Sequence, residues 1–125
     1  MWPGDRDPGM AADTPDERRQ VLVARIVEAR RRGESTAFRA GDASVEYDDR
    51  RVRLRVDPDE RDRLDSLLSS YHVFKIKQPE TRKAAEGVCY LSAVTDAKHA
   101  ADFLEALFRE VYGLGEGYTL RAESG

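Results

Sequence analysis

Arg51-Val52-Arg53-Leu54-Arg55-Val56 alternates charge and hydrocarbon at every step. A β-strand turns successive side chains to opposite faces, so this run sets Val52, Leu54 and Val56 on one face and three arginines on the other. Such a segment fits a sheet with one dry and one wet face, the pattern of antiparallel pairing. Its partner lies just upstream. Ala43–Tyr47 alternates the same way, with Val45 and Tyr47 on one face, and Asp48-Asp49-Arg50 supplies the turn. Thr36–Ala40 reads as a shorter strand closed by Gly41-Asp42.

Helices bracket this hairpin. Thr14-Pro15-Asp16-Glu17 and Asp57-Pro58-Asp59-Glu60 are capping boxes, each with proline at the first helical position. Leu22, Val23, Ile26 and Val27 come after the first at helical spacing; Leu64, Leu67, Leu68 and Tyr71 come after the second. Arg30, Arg31 and Arg32 complement the dipole at the end of the first helix, and Gly33 stops it. The repeated Pro-Asp-Glu-Arg at 15 and 58 is a shared cap, not a duplication, since the residues downstream of the two copies differ. A third helix, capped by Thr95 or Asp96, carries Ala100, Phe103, Leu104, Leu107, Phe108 and Val111 before Gly113.

Further strands are predicted over Tyr71–Lys77, with Phe74 and Ile76 on one face, over Val88–Val94, and over Tyr118–Arg121 at an edge. The second is continuously apolar, as an interior strand should be. The order α-β-β-β-α-β-β-α-β gives an α+β fold: a mostly antiparallel sheet of four to six strands with helices packed on one face. No glycine-rich βαβ turn is present, which argues against a dinucleotide-binding fold. Residues 1–13 lack a periodic apolar pattern and read as a disordered tail, leaving one domain over 14–122. Met10 is then a candidate start beside Met1.

The chain has 125 residues, 40% hydrophobic and 36% charged, with a formal net charge of −3. That supports one modest core and excludes a generic polycation. No apolar run reaches membrane-spanning length, and no secretory leader is visible. Cys89 is the only cysteine, so no internal disulfide can form, and a cytoplasmic location is expected. Arginine outnumbers lysine 17 to 4, and all four lysines (Lys75, Lys77, Lys83, Lys98) fall in one stretch.

Four residue sets carry candidate chemistry. Lys75, Lys77, Arg82 and Lys83, with Gln78 and Thr81, form a basic arm able to clamp phosphates, with Tyr71, Phe74 or Tyr90 as stacking surface. Glu80 and Glu86 oppose that reading. Arg51, Arg53 and Arg55 could meet an acidic partner, but cross-strand pairing with Glu46, Asp48 and Asp49 is the simpler expectation. Arg18, Arg25 and Arg32 recur every seven residues and read as stems covering apolar surface. His72, Cys89 and His99 match no compact metal spacing, so no metal and no cofactor is expected. Cys89 reads as an inert core thiol, and Asp96 beside His99 reads as a helix cap. No phosphate-binding loop, zinc-protease, serine-hydrolase or dithiol motif occurs.

Val73-Phe74-Lys75-Ile76-Lys77-Gln78-Pro79-Glu80-Thr81-Arg82-Lys83 is succeeded by Tyr90-Leu91-Ser92-Ala93-Val94-Thr95-Asp96 and by Phe103-Leu104-Glu105-Ala106-Leu107-Phe108-Arg109-Glu110-Val111-Tyr112. Together these resemble uncharacterised small proteins of salt-loving archaea over residues 43–122. The resemblance brings no activity with it. The sequence is thus read as a non-enzymatic binding or regulatory module that contacts a protein partner or a second copy of itself. The alternative is a nucleic-acid-associated protein using the basic arm 75–83. A more distant alternative is a small enzyme built on His72, His99 and Asp96.

Overall fold

The computed structural model describes residues 12–77 and 87–124. Three helices, α1 (Pro15–Arg32), α2 (Pro58–Ser70) and α3 (Ala97–Ala106), accompany six strands: β1 (Thr36–Ala40), β2 (Ala43–Asp48), β3 (Arg51–Arg55), β4 (Lys75–Lys77), β5 (Val88–Ser92) and β6 (Arg121–Ser124). The strands form one sheet in the order β4-β5-β3-β2-β1-β6, with every neighbouring pair antiparallel. The fold is α+β, as the alternation and the helical stripes predict.

The local signals act as expected. Thr14 Oγ1 accepts the Glu17 backbone N–H at 3.2 Å, and Asp57 with Glu60 forms a reciprocal capping box at 2.7 and 2.9 Å. Each satisfies amide donors that the first helical turn leaves without partners. Gly33 ends α1 with φ +66°, a left-handed conformation in which a side chain would be strained. In the β2–β3 hairpin, Asp49 and Arg50 both have positive φ (51° and 60°). A tight primed turn demands this, and here two non-glycine residues supply it.

One core joins the dry face of the sheet to the helices. Phe38, Val45, Tyr47, Val52, Leu54 and Leu91 meet Leu22 and Ile26 of α1, Leu64 of α2, and Phe103 and Leu104 of α3, all essentially buried. Each such side chain contributes roughly 1.5–3 kcal/mol by leaving water. Phe103 stacks on Phe74 at 4.1 Å, and Tyr71 closes the cluster edge-on at 5.4 Å from Phe103. Beyond Ala106 the helix continues as a single π turn, Leu107–Val111, with the Tyr112 N–H on the Leu107 carbonyl. That wider turn keeps Leu107, Phe108 and Val111 all buried.

Three strand boundaries differ from expectation. β4 begins at Lys75 rather than Tyr71, because the Tyr71 N–H still caps α2 on the Leu67 and Leu68 carbonyls and Phe74 is held in the next turn. β5 ends at Ser92, after which Val94 turns into solvent. The last strand is Arg121–Ser124 rather than Tyr118–Arg121; Tyr118 is buried against α3 instead. Ala12, expected in the tail, is buried and pairs with Leu120 through two backbone hydrogen bonds of 2.9 and 2.7 Å. Residues 1–11 of that predicted tail lie outside the described residues.

Arg18 corrects the reading of Arg18, Arg25 and Arg32 as covering stems. Its side chain is fully buried and continues the inward stripe Arg18, Leu22, Ile26, Ala29 of α1. The guanidinium grips the Glu105 carboxylate with two bonds of 2.9 Å and donates to the Tyr118 and Glu116 carbonyls at 2.7 and 2.6 Å. It also lies 3.9 Å from the centre of the Tyr118 ring, whose hydroxyl donates to Glu105 at 2.7 Å. Burial acts to raise the Glu105 carboxyl, but the Arg18 and Tyr118 hydrogen bonds prevail and hold it below its ordinary value. Burial, reinforced by Glu105, pushes the Tyr118 phenol far up. Arg32 instead pairs with Glu28 at 2.6 Å on the surface.

Candidate functional site

The second face of the sheet is built by the same alternation that builds the core. Arg39 on β1, Ser44, Glu46 and Asp48 on β2, and Arg51, Arg53 and Arg55 on β3 are exposed at alternate strand positions. Helices supply their buried residues to the opposite face. At roughly 4.8 Å per strand spacing, the open face is about 24 Å across.

Strand register decides which residues stand opposite one another there. One row runs Lys75, Ser92, Arg51, Asp48 across β4, β5, β3 and β2. The next passes from Lys77 through Tyr90 and Arg53 to Glu46. A third brings Arg39 directly opposite Arg121. β5 therefore joins two sets that the sequence keeps far apart: the hairpin arginines and the start of the basic arm. Lys75 is exposed; Lys77 is placed by its backbone register, and Gln78, Thr81, Arg82 and Lys83 lie outside the described residues.

The charges do not cancel. Arg39, Arg51, Arg53, Arg55, Lys75 and Arg121 face Glu46, Asp48 and Glu123 on this surface. Arg53 reaches Glu46 at 3.4 Å and Arg39 reaches Glu123 at 3.5 Å. Among the described residues, Arg51, Arg55, Lys75 and Arg121 make no ion pair, although Asp48 stands opposite Arg51. The expected pairing of the hairpin arginines thus holds for Arg53 alone. Arg39 opposite Arg121 is a like-charge cross-strand pair, which disfavours folding.

Of the three aromatic residues suggested as stacking surface, only Tyr90 lies on this face. Phe74 is buried in the core with Phe103, and Tyr71 packs partly buried against them. Tyr90 is half-buried, and among the described residues its hydroxyl has no hydrogen-bond partner and its ring no aromatic neighbour.

The histidine set does not converge on a reactive geometry. Asp96 accepts the His99 backbone N–H at 2.7 Å as the α3 cap. The exposed His99 ring stacks on Phe74 at 5.7 Å, and His72 is exposed in the turn after α2. Among the described residues, no three His, Cys, Asp or Glu side chains group closely enough to hold a metal ion. Cys89 is buried with its sulfur 3.6 Å from Arg61 Nη1. Among the described residues no helix is long and apolar enough to cross a membrane.

A model of one family of unknown function, DUF7975, matches residues 9–124, nearly the whole chain. The chain belongs to the DUF7975 family. No curated protein and no solved structure matches it. The match takes in the six described strands of this DUF7975 chain and so the open face they form.

Proposed function

We propose that this protein is a non-enzymatic binding module whose ligand is a polyanion and whose binding surface is the open face of the sheet. The observation that carries the reading is the excess of cations there, on a chain whose net charge is −3. A folded domain gains nothing from setting Arg39 against Arg121, or from leaving Arg51, Arg55 and Lys75 without acidic partners among the described residues. A phosphate-rich chain laid across the face would satisfy them, each contact releasing counterions. In sequence, Lys77, Arg82 and Lys83 extend the basic run from the β4 edge.

The test is binding of inorganic polyphosphate to the full chain and to the Arg51→Glu/Arg55→Glu variant. Both side chains are exposed, so the variant should keep its circular dichroism spectrum. Loss of binding is expected. Equal binding by both proteins would overturn the reading.

A protein or self-association contact is the second reading, favoured by one observation. β4 is an edge strand; Ile76 within it and Val73 just before it are 37% and 42% exposed. Light scattering that shows a dimer, lost on Ile76→Asp, would support it.

A further inference from the structure

We propose that the polyanion is single-stranded nucleic acid and that the Tyr90 ring stacks on one of its bases, an inference that rests on the open face being the binding surface. A generic polyanion needs only cations. This face also sets a flat aromatic ring among them. Tyr90 is flanked in register by Arg53 on β3 and by Lys77 on β4, with Arg51 and Arg55 one pleat away on either side of Arg53. A tyrosine whose ring packs on a cross-strand aromatic, or whose hydroxyl is held by a polar side chain, is already engaged within the fold. Tyr90 does neither among the described residues, and it is only partly buried.

Every base has a π-face, so an aromatic platform ringed by phosphate-binding cations is the general solution for holding single strands without reading sequence. A duplex buries its bases in the stack and offers this ring nothing but backbone. The geometry therefore favours single strands over duplexes and over phosphate chains that lack bases. The occupant is chosen by two complementarities on one surface: cations for the backbone, and an unused ring for the base.

The experiment measures fluorescence anisotropy with a twelve-nucleotide oligouridylate and the matching oligothymidylate. A duplex of the same length and inorganic polyphosphate serve as competitors. The full chain is compared with Tyr90→Phe, Tyr90→Leu and Tyr90→Ala. Truncating a stacked aromatic lowers affinity by roughly 5- to 150-fold per base. We expect Tyr90→Ala and Tyr90→Leu to fall in that range on both oligonucleotides, Tyr90→Phe to bind as the parent does, and polyphosphate affinity to stay unchanged. Tyr90→Leu keeps most of the buried area, so a folding failure of Tyr90→Ala leaves the test intact. If all four proteins bind the oligonucleotides equally while Arg51→Glu/Arg55→Glu abolishes polyphosphate binding, the stacking inference is wrong and the polyanion reading stands. If neither polyphosphate nor oligonucleotide binds, the polyanion reading fails and this inference with it.

Discussion

Replacing Arg18 with methionine should be among the most damaging single changes in this fold. The guanidinium is fully buried and makes four hydrogen bonds of 2.6–2.9 Å to Glu105, Glu116 and Tyr118. Methionine fills much of the volume but leaves the largely buried Glu105 carboxylate with only the Tyr118 hydroxyl. Removing one partner of a buried pair costs about 3–5 kcal/mol, because an uncompensated charge remains. A domain of this size has about 5–15 kcal/mol in all, so melting should drop by roughly 10–20 °C.

The pH dependence identifies the cause. In the parent, the Glu105 pKa is depressed, so its contribution is present above the unfolded value and is lost as pH falls through the folded value. In Arg18→Met, burial without the cation raises the same pKa. That variant is therefore penalised at neutral pH and relieved on acidification. The stability gap should be widest above about pH 5 and narrow towards pH 3. Glu105→Gln added to Arg18→Met should recover part of the loss. Urea denaturation of parent, single and double variants across this pH range measures all of it. A gap below about 1 kcal/mol, or one independent of pH, would refute the reasoning.

Other changes test the layout. Phe103→Ala removes a fully buried ring stacked on Phe74 and should cost about 3–5 kcal/mol by denaturant unfolding. Asp49→Asn with Arg50→Gly places residues suited to positive φ in the β2–β3 turn and should stabilise the chain by about 1 kcal/mol. A chain starting at Met10 should melt with the parent, whereas one starting at Asp13 should melt lower, having lost the Ala12–Leu120 bridge.

The period-2 run of β3 and the helical stripes of α1 to α3 made the elements and the α+β class legible, because each burial pattern is local. The pairing order was not, since nothing near β5 in sequence says that it lies between β3 and β4. The same gap hid the candidate site. Val88-Cys89-Tyr90-Leu91-Ser92 is nearly apolar throughout, so no alternation marks Tyr90 as outward. Only the Cys89–Leu54 and Leu91–Val52 register fixes its face. Arg18 did carry a signal, standing four residues before Leu22 on the apolar stripe of α1, but its partner Glu105 is 87 residues away.

The central claim is that cations on the open sheet face hold a phosphate-rich chain, and the salt dependence of binding tests it most directly. Arg51, Arg55, Lys75 and Arg121, which make no ion pair among the described residues, can each neutralise one phosphate, so the logarithm of affinity for a single strand should fall against the logarithm of salt with a slope of about −3. Titrating oligouridylate from about 50 to 200 mM salt gives that slope. Each arginine replaced by glutamine at 51 or 55 should flatten it by about 0.7. A slope near zero, or one that these replacements leave unchanged, would contradict the account.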